Sequence, residues 1–327
     1  MDAGLDTLRK KVLADFTSLP YNNPKKADDF FMKFGVGNTI SDLDQPFERF
    51  IYYEFLLDTL MNSDFEKYQN IHKGIPFYFL AWLAFDFRNY EKALYYIDSA
   101  ISEDIKNAEK EPFKLPASNF LLLNPEKQVA SRTIQIICLT LEEEISRFNS
   151  ISKSSELSPK LFIDKFVLDL IKKPENRTII SAFYVFLLEY SERQKEIKMR
   201  SSEGGSIAPF ILHLFSGALI FESILKYLYP YKKKKIPNQT IGEIFHNSSF
   251  LQIYPPNIPT YADSILNISN EALDNSLFTA FSTTAKIRNT AGHNLVWDNT
   301  IFSETEKYQI LFQQEVNAIL YLVVNNF

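Results

Sequence analysis

Long segments of this chain repeat their apolar residues every three or four positions, and this periodicity limits the fold more than any other feature. Residues 91–110 place four apolar side chains on one helical face. These are Leu94, Ile97, Ile101 and Ile105. The same pattern recurs in four further segments, 127–148, 178–197, 208–229 and 306–324. The alternation that half-buried strands require never persists. The sequence therefore predicts an all-α fold.

The composition fits a globular protein and excludes several kinds of site. Apolar residues make up 46% of the 327 residues and charged residues 23%, which allows a sizeable core. Only nine glycines are present, which argues against phosphate-cradling loops and against a sheet with many tight turns. The single cysteine, Cys138, excludes an intramolecular disulfide framework. The net charge of −5 gives no overall attraction to nucleic acid, so any such binding needs a local basic patch.

Neither the first residues nor the apolar run at 77–87 indicates an export signal or a membrane-spanning segment. Residues 1–16 form the pattern of a polar amphipathic helix, and no apolar stretch follows a basic start as in a signal peptide. The apolar run 77–87 is too short to cross a bilayer and is interrupted by Asp86. We therefore expect a cytoplasmic protein with no membrane partner.

Three polar or proline-containing stretches divide the helical pattern. They are 111–125, with three prolines, the serine-rich 149–160, and the glycine- and serine-containing 200–209. The second stretch has the composition of a linker or long loop. The sequence thus predicts a helical domain over residues 1–150 and a second helical domain over residues 151–327.

Part of the first domain resembles a tetratricopeptide repeat. Residues 74–87 form the pattern of one helix, and Arg88 and Asn89 form the turn that follows. Small and aromatic residues then recur on the second helix, at Tyr90, Ala93, Tyr96 and Ala100. Only one convincing copy is present, whereas a stable solenoid needs about three. This segment is therefore either part of a regulatory or interaction domain of repeats or an ordinary α-hairpin in a helical domain.

The stretch KIRNTAGHNLVWD, residues 286–298, carries an arginine and a histidine five positions apart. On a continuous helix Arg288 and His293 would diverge by about 140° around the axis. Gly292 permits the helix to bend or end there, which would let the imidazole return towards the guanidinium. The alternative is an ordinary helix end, where basic side chains favour the negative end of the dipole.

The same residues resemble the motif of the HEPN (higher eukaryotes and prokaryotes nucleotide-binding) superfamily, whose nucleases carry arginine, four to six residues, then histidine. Arg288, the polar Asn289 and His293 fit the shortest form. The segment 217–230 resembles the early helix of that family, with Glu222 and Lys226 at its acidic and basic positions. TIGEIF, residues 240–245, is a weaker third match. The resemblance covers roughly residues 205–327, in the family's order.

The resemblance implies a metal-independent endoribonuclease that needs no cofactor, acting as a toxin or antiviral-defence effector. His293 would serve as the acid and base for attack by the ribose 2′-OH, because a histidine pKa lies near neutral pH. Arg288 would clamp the phosphate oxygens in the transition state, and Asn289 would position the phosphate or the imidazole. Family members usually complete the site across a homodimer, so the resemblance also implies a second copy of this chain.

Two further sets of residues have supporting roles in this interpretation. Glu222 either pairs with Lys226 one turn away or holds Arg288 in place, and we favour the second role. A basic run follows the helix, at Lys232, Lys233, Lys234 and Lys235, with Tyr229 and Tyr231 beside it. This run is either an RNA backbone contact or a solvated loop at a helix end.

The remaining sequence signals indicate neither a metal site nor a second enzyme class. His213 lies in an apolar helix and is predicted to be a core or interface residue. His72 and His246 have no ligand partners at metal-binding spacing. The residues after His293 include no tyrosine, so control by tyrosine modification is not supported. The competing function is a non-catalytic interaction, dimerisation or RNA-binding protein that uses a HEPN fold. In either case we expect a protein partner or trigger through the N-terminal domain.

Overall fold

The computed structural model describes most of the chain, and its regular structure is helical. The described residues are 2–21, 23–35, 45–107, 111–124, 131–152, 156–199, 206–228, 240–245, 258–274, 276–293 and 305–327. Every regular element within these ranges is a helix, so the predicted all-α fold is confirmed. The chain forms two compact units, one of Met1–Gln135 with Ile171–Arg177 and one of Ile136–Leu170 with Thr178–Phe327. The predicted division at residue 150 stays a prediction.

Unit 1 is built from short and medium helices. They are α1 (Asp2–Ser18), α2 (Pro24–Gly35), α3 (Pro46–Ser63), α4 (Phe65–Asn70), α5 (Gly74–Asp86), α6 (Tyr90–Asn107) and α7 (Ser118–Leu121), with a 3₁₀ turn at Pro112–Lys114. Helices α5 and α6 pack against each other as an antiparallel hairpin, and α3 packs on α5.

The predicted hairpin of residues 74–104 forms, and its turn has a simple geometry. Arg88 adopts a left-handed backbone with φ 63°, which reverses the chain between the two helices. Asn89 then caps α6, since its Oδ1 accepts a hydrogen bond from the Lys92 amide at 3.1 Å. Ala84 and Ala93 are fully buried, as close packing of two helices requires. Membership of a repeat array stays a prediction.

Unit 2 contains the longer helices. They are most of α8 (Ser131–Ser152), then α9 (Pro159–Phe162), α10 (Leu168–Leu170), most of α11 (Pro174–Met199), α12 (Ala208–Leu228), α13 (Ile241–Phe245), α14 (Ile265–Glu271), α15 (Leu277–Ala291) and α16 (Thr305–Asn326). A π-helical turn, Ile163–Val167, joins α9 to α10. Helices α12, α15 and α16 pack on one another in all three pairs and form the centre of this unit.

The structure corrects one expectation about a connection between helices. The serine-rich stretch 149–160 is not a continuous loop, because α8 extends to Ser152 and α9 begins at Pro159. Asn149 closes this connection by donating to the Leu157 carbonyl at 2.7 Å and accepting from the Leu157 amide at 3.0 Å. The helix with the arginine motif begins at Leu277, where Ser276 caps its first turn by accepting from the Thr279 amide.

Helices α12 and α16 approach each other closely at Gly217. A Cβ atom added there would lie 2.6 Å from Oε2 of Glu315 and 2.5 Å from the Phe186 ring, so only glycine leaves room for both. Glu315 is completely buried. Burial raises the pKa of its carboxyl group well above the ordinary value of 4.5, and the Ala218 amide offsets only part of this effect. The buried position of Glu315 therefore favours the neutral form of the acid.

Helix α12 is apolar and 21 residues long, which is enough by length and composition to cross a bilayer. The protein itself buries 61% of its most apolar window. Such burial is typical of a core helix in a globular unit. Among the described residues, α12 is therefore the helix that meets this criterion of length and composition, whereas the helix that contains most of the run at residues 77–87 is shorter.

Candidate functional site

The arginine–histidine motif lies at the C-terminal end of α15, where the helix stops between its two key residues. Arg288 and Asn289 occupy the last turn, and the helix ends at Ala291. Gly292 has a right-handed backbone with φ −66°, and the His293 amide donates to the Thr290 carbonyl at 3.3 Å. The 140° divergence of a continuous helix therefore does not apply to this pair, because His293 lies beyond the helix.

Arg288 contacts a buried acid on the neighbouring helix. Its Nε donates to Oε2 of Glu222 at 2.6 Å, across 66 residues of sequence. Nζ of Lys226 lies 2.7 Å from the other carboxylate oxygen, Oε1. The Glu222 side chain is 7% exposed, whereas Arg288 and Lys226 are 29% and 46% exposed. Glu222 thus pairs with both of the partners considered for it, Lys226 and Arg288. The two cations and the one carboxylate leave one net positive charge at the surface.

The guanidinium group also packs against an aromatic ring. Its Cζ lies 5.1 Å from the centroid of the half-buried Phe215 ring on α12, within the range of a cation–π contact. Gly292 packs on the same group, because a Cβ atom added there would lie 3.0 Å from Nη1 of Arg288 and 3.2 Å from Phe215. Within the described residues, these contacts engage Nε and place Cζ over the Phe215 ring. None of them uses the Nη1 and Nη2 donors, which match two oxygens of an oxyanion such as phosphate.

Asn289 faces a different neighbour from Arg288. Its Nδ2 donates to the Thr260 carbonyl at 2.6 Å. Two other side chains of α15 bond to the same irregular segment, Ser282 to the Pro259 carbonyl at 3.0 Å and Thr290 to the Ala262 carbonyl at 3.4 Å. The helix end therefore holds residues 259–262 in place through three side chains, and the Asn289 amide is already occupied by protein.

His293 is exposed at the helix end. An exposed imidazole is accessible to a substrate and to a second chain, which a proton-transfer role requires. The structure thus brings Arg288, Glu222 and Lys226 into one cluster, and it places His293 at the surface five residues beyond Arg288. The predicted basic contact of Lys232, Lys233, Lys234 and Lys235 lies outside the described residues.

The capping sequence of α13 is confirmed as a helix start. The Thr240 amide donates to Oε2 of Glu243 at 2.8 Å, and the Glu243 amide donates to Oγ1 of Thr240 at 3.2 Å. This reciprocal pair is a capping box. Ile241 and Ile244 of α13 are buried, so this short helix closes part of the core beneath α12.

His213 is a buried core residue, as predicted. Its Nε2 donates to the Phe186 carbonyl at 2.8 Å, and the Tyr308 hydroxyl donates to its Nδ1 at 2.6 Å. Burial lowers the pKa of His213 to about 3, and the Phe186 carbonyl offsets this only in part. The ring is therefore neutral at physiological pH and has both nitrogens occupied, which excludes it from the proposed chemistry.

His72 has partners that its local sequence does not reveal. Its Nδ1 lies 2.9 Å from Asp28, and its Nε2 lies 3.0 Å from Asp104, which are 44 and 32 residues away. Burial acts to lower the pKa of His72, but the two carboxylates outweigh it and raise the pKa to about 9. Each ring nitrogen faces a separate carboxylate, and the described residues contain no group of three or more side chains placed to hold a metal ion.

Comparisons of the chain with protein-family models, with curated proteins and with solved structures gave no match.

Proposed function

We propose that this protein is a metal-independent endoribonuclease of the HEPN type. The observation that carries the proposal is the contact of Arg288 with Glu222 at 2.6 Å, with Lys226 on the same carboxylate. The resemblance rested on two segments about 66 residues apart, and this contact joins them in one cluster. A chance match between unrelated helix segments gives no reason for such a contact.

The roles of the residues follow from their positions. Glu222 holds Arg288 through Nε, so the two Nη donors point to the pentacoordinate phosphorane that forms when the 2′-OH attacks. His293 removes the 2′-OH proton or protonates the departing 5′-oxygen, and the exposed helix end gives it access to RNA. Asn289 fixes the adjacent 259–262 segment and so shapes the wall of the site. The products would be a 2′,3′-cyclic phosphate and a 5′-hydroxyl.

One histidine supplies either the acid or the base, so a second copy of the chain would supply the other. The outer face of α12 supports such a homodimer. Its exposed leucines, Leu212 and Leu219, and its half-buried serines, Ser216 and Ser223, follow a spacing of four, three and four residues. Leu212 and Leu219 are 51% and 43% exposed, and the serines allow close approach of a second helix. This face runs directly beside Glu222 and Lys226.

The wider context of the proposal comes from the resemblance alone. A toxin or antiviral-defence effector of this type would act on cytoplasmic RNA. The run Lys232 to Lys235 would contact the RNA backbone, and the tetratricopeptide-like hairpin of α5 and α6 would receive a protein partner or trigger.

The test is cleavage of single-stranded RNA in EDTA by the full chain and by Arg288→Ala and His293→Ala variants. We expect cleavage by the wild type alone, with 2′,3′-cyclic phosphate ends and no cleavage of the all-2′-deoxy strand. Lys195→Ala is the matched control, since it removes one exposed cation of unit 2 that, among the described residues, pairs with the nearby Glu192. Cleavage that persists in both variants, or that requires added metal, would contradict the mechanism.

The dimer is tested separately by sedimentation and by Leu219→Asp, which places a charge on the outer face of α12. We expect the wild type to sediment as a dimer and the variant as an inactive monomer. Mixing inactive Arg288→Ala with inactive His293→Ala would report whether one site uses groups from two chains.

A non-catalytic interaction or RNA-binding protein is the second candidate, and one observation favours it. The Asn289 amide bonds to the Thr260 carbonyl, and the Arg288 Nε bonds to Glu222, so both residues already have structural partners. This function predicts RNA binding or dimerisation without cleavage, and loss of stability in the Arg288→Ala variant.

A further inference from the structure

Arg288 has three close neighbours, Glu222, Phe215 and Gly292. The family resemblance assigns a role to Glu222 but none to Phe215 or Gly292. Glu222 bonds to Nε at 2.6 Å, the Phe215 ring lies 5.1 Å from Cζ, and Gly292 leaves the space beside Nη1. The side chain is 29% exposed, so it is partly open to water and needs these contacts to keep one direction. A long arginine side chain otherwise samples many rotamers, and fixing it costs side-chain entropy.

The contact with Phe215 fixes a different degree of freedom from the contact with Glu222. A hydrogen bond to Nε sets where the root of the guanidinium lies, but it allows the plane to swing about that bond. The Phe215 ring, whose centroid lies 5.1 Å from Cζ, occupies one side of the guanidinium and so limits this swing. The plane decides whether Nη1 and Nη2 point together at two oxygens of one phosphate, as a two-pronged contact needs.

Gly292 contributes through its missing side chain. A Cβ atom at this position would lie 2.9 Å from the Arg288 carbonyl and 3.0 Å from its Nη1. The carbonyl belongs to the helix backbone and cannot move easily, and the guanidinium would have to shift by a few tenths of an ångström. The backbone of Gly292 is right-handed with φ −66°, a conformation that any residue adopts. The glycine is thus required for the close approach and not for the turn.

We infer that Phe215 and Gly292 are positioning residues that set the plane of the Arg288 guanidinium towards a bound phosphate. This inference deepens the proposed ribonuclease function and rests on it for the identity of the ligand. The seat consists of Phe215, Glu222 and Gly292 around Arg288. Its geometry is independent of whether the chain cleaves RNA, which allows the two statements to be tested apart.

The experiment compares Phe215→Leu, Phe215→Tyr and Gly292→Ala with the wild-type chain. The first readout is the Nε–Hε resonance of Arg288 in protein labelled with ¹⁵N-arginine, assigned by its loss in Arg288→Lys. We expect this resonance to shift and broaden in Phe215→Leu and Gly292→Ala, and to stay near its wild-type position in Phe215→Tyr, which keeps the ring. Leu139→Ala, an exposed apolar residue of the same unit on α8, is the control.

The second readout is the steady-state cleavage of single-stranded RNA. Misplacement of a transition-state contact lowers kcat by about 10- to 100-fold while KM changes little. We expect this split in Phe215→Leu and Gly292→Ala and its rescue in Phe215→Tyr. Circular dichroism and thermal midpoints near the wild-type values would separate this effect from unfolding.

The outcomes distinguish the two proposals. A shifted resonance together with a loss of kcat supports both. A shifted resonance in a chain whose wild type does not cleave RNA supports the seat and removes the ribonuclease function. A resonance that is unchanged in folded Phe215→Leu and Gly292→Ala overturns the seat, whatever the activity of the wild type.

Discussion

The two compact units each bury a histidine, and at neutral pH one of the two is positively charged and the other is neutral. His72 in unit 1 is flanked by the carboxylates of Asp28 and Asp104, which raise its pKa to about 9. His213 in unit 2 lies among apolar rings between Phe186 and Tyr308, where burial lowers its pKa to about 3. Both side chains are largely removed from water, so burial alone does not decide their protonation. The charge of the neighbouring side chains decides the protonation of each histidine.

The same contrast extends to the acids of the two units. Unit 1 pairs its buried charges, since Lys73 contacts Glu103 at 3.4 Å and the fully buried Arg177 pairs with Asp98. Unit 2 buries Glu315, for which the described residues provide no ion-pair partner, and the acid keeps its proton. Unit 2 thus contains both kinds of buried acid, since Glu222 is paired with Arg288 and Lys226. Raising the pH removes stability where a native pKa is raised, at His72 and Glu315, and adds stability where it is lowered, at His213.

The largest effect is expected from protonation of His213 in unit 2 on acidification. The native pKa of His213 is about 3 and the ordinary value is 6.5, so the unfolded chain binds the proton more readily below pH 6.5. The His213 contribution to stability therefore falls by about 2 kcal/mol between pH 7 and pH 5, and by about 4 to 5 kcal/mol by pH 3. Glu315, whose native pKa is raised, acts in the opposite direction, so the test compares the wild type with His213→Gln. Hydrogen exchange of α12 peptides at several pH values measures the difference between the two chains, and an identical pH dependence would contradict the assignment.

A rise in pH should weaken unit 1 by a smaller amount. The native pKa of His72 is about 9, above its ordinary value of 6.5, so its stabilisation is complete below pH 6.5 and is lost as the pH approaches 9. The loss amounts to about 3 kcal/mol. Hydrogen exchange of α5 and α6 peptides between pH 6.5 and 9, corrected for the intrinsic exchange rate, would detect it. His72→Gln should flatten this dependence and leave that of α12 unchanged.

The smallest effect is expected at the exposed end of the unit 1 network. Lys106 lies 2.9 Å from Glu103 but is 62% exposed, so Lys106→Ala should cost about 0.5 kcal/mol or less. Lys73, by contrast, donates to the carbonyls of Tyr68 and Ile71 at 2.8 and 2.7 Å, and Lys73→Met should cost more because these acceptors lose their partner. Urea unfolding of both variants gives the comparison. Equal losses in the free energy of unfolding would contradict the expectation that the buried Lys73 contributes more than the exposed Lys106.

The fold class could be predicted because it depends on local periodicity. The segment 208–229 was expected to be helical, and α12 spans Ala208–Leu228. Helix starts were harder to predict, since a serine caps a helix only where its side chain meets the first-turn amides. Ser276 does so at the start of α15, for which the apolar pattern gave no prediction. The serine-rich appearance of 149–160 was misleading because Asn149 closes a short connection there.

The candidate site was only partly accessible from the sequence. The contact between Glu222 and Arg288 joins two helices, and only the family resemblance linked those positions in advance. The role of Phe215 gave no signal, because one more phenylalanine in an apolar helix is indistinguishable from a core residue. The Thr260 partner of Asn289 lies in an irregular segment, where no periodicity exists. The acids around His72 were missed because 44 and 32 residues separate them from it.

The carboxyl group of the buried Glu315 is an intrinsic infrared probe. A protonated carboxylic acid has a carbonyl stretch at higher frequency than ionised carboxylates and amide groups, and few native proteins hold such an acid at neutral pH. Glu315 lies where α12 and α16 approach each other at Gly217. Any opening of these two helices that admits water would ionise the acid and remove its band. Infrared difference spectra could thus follow motion at the centre of unit 2 without an added dye or isotope.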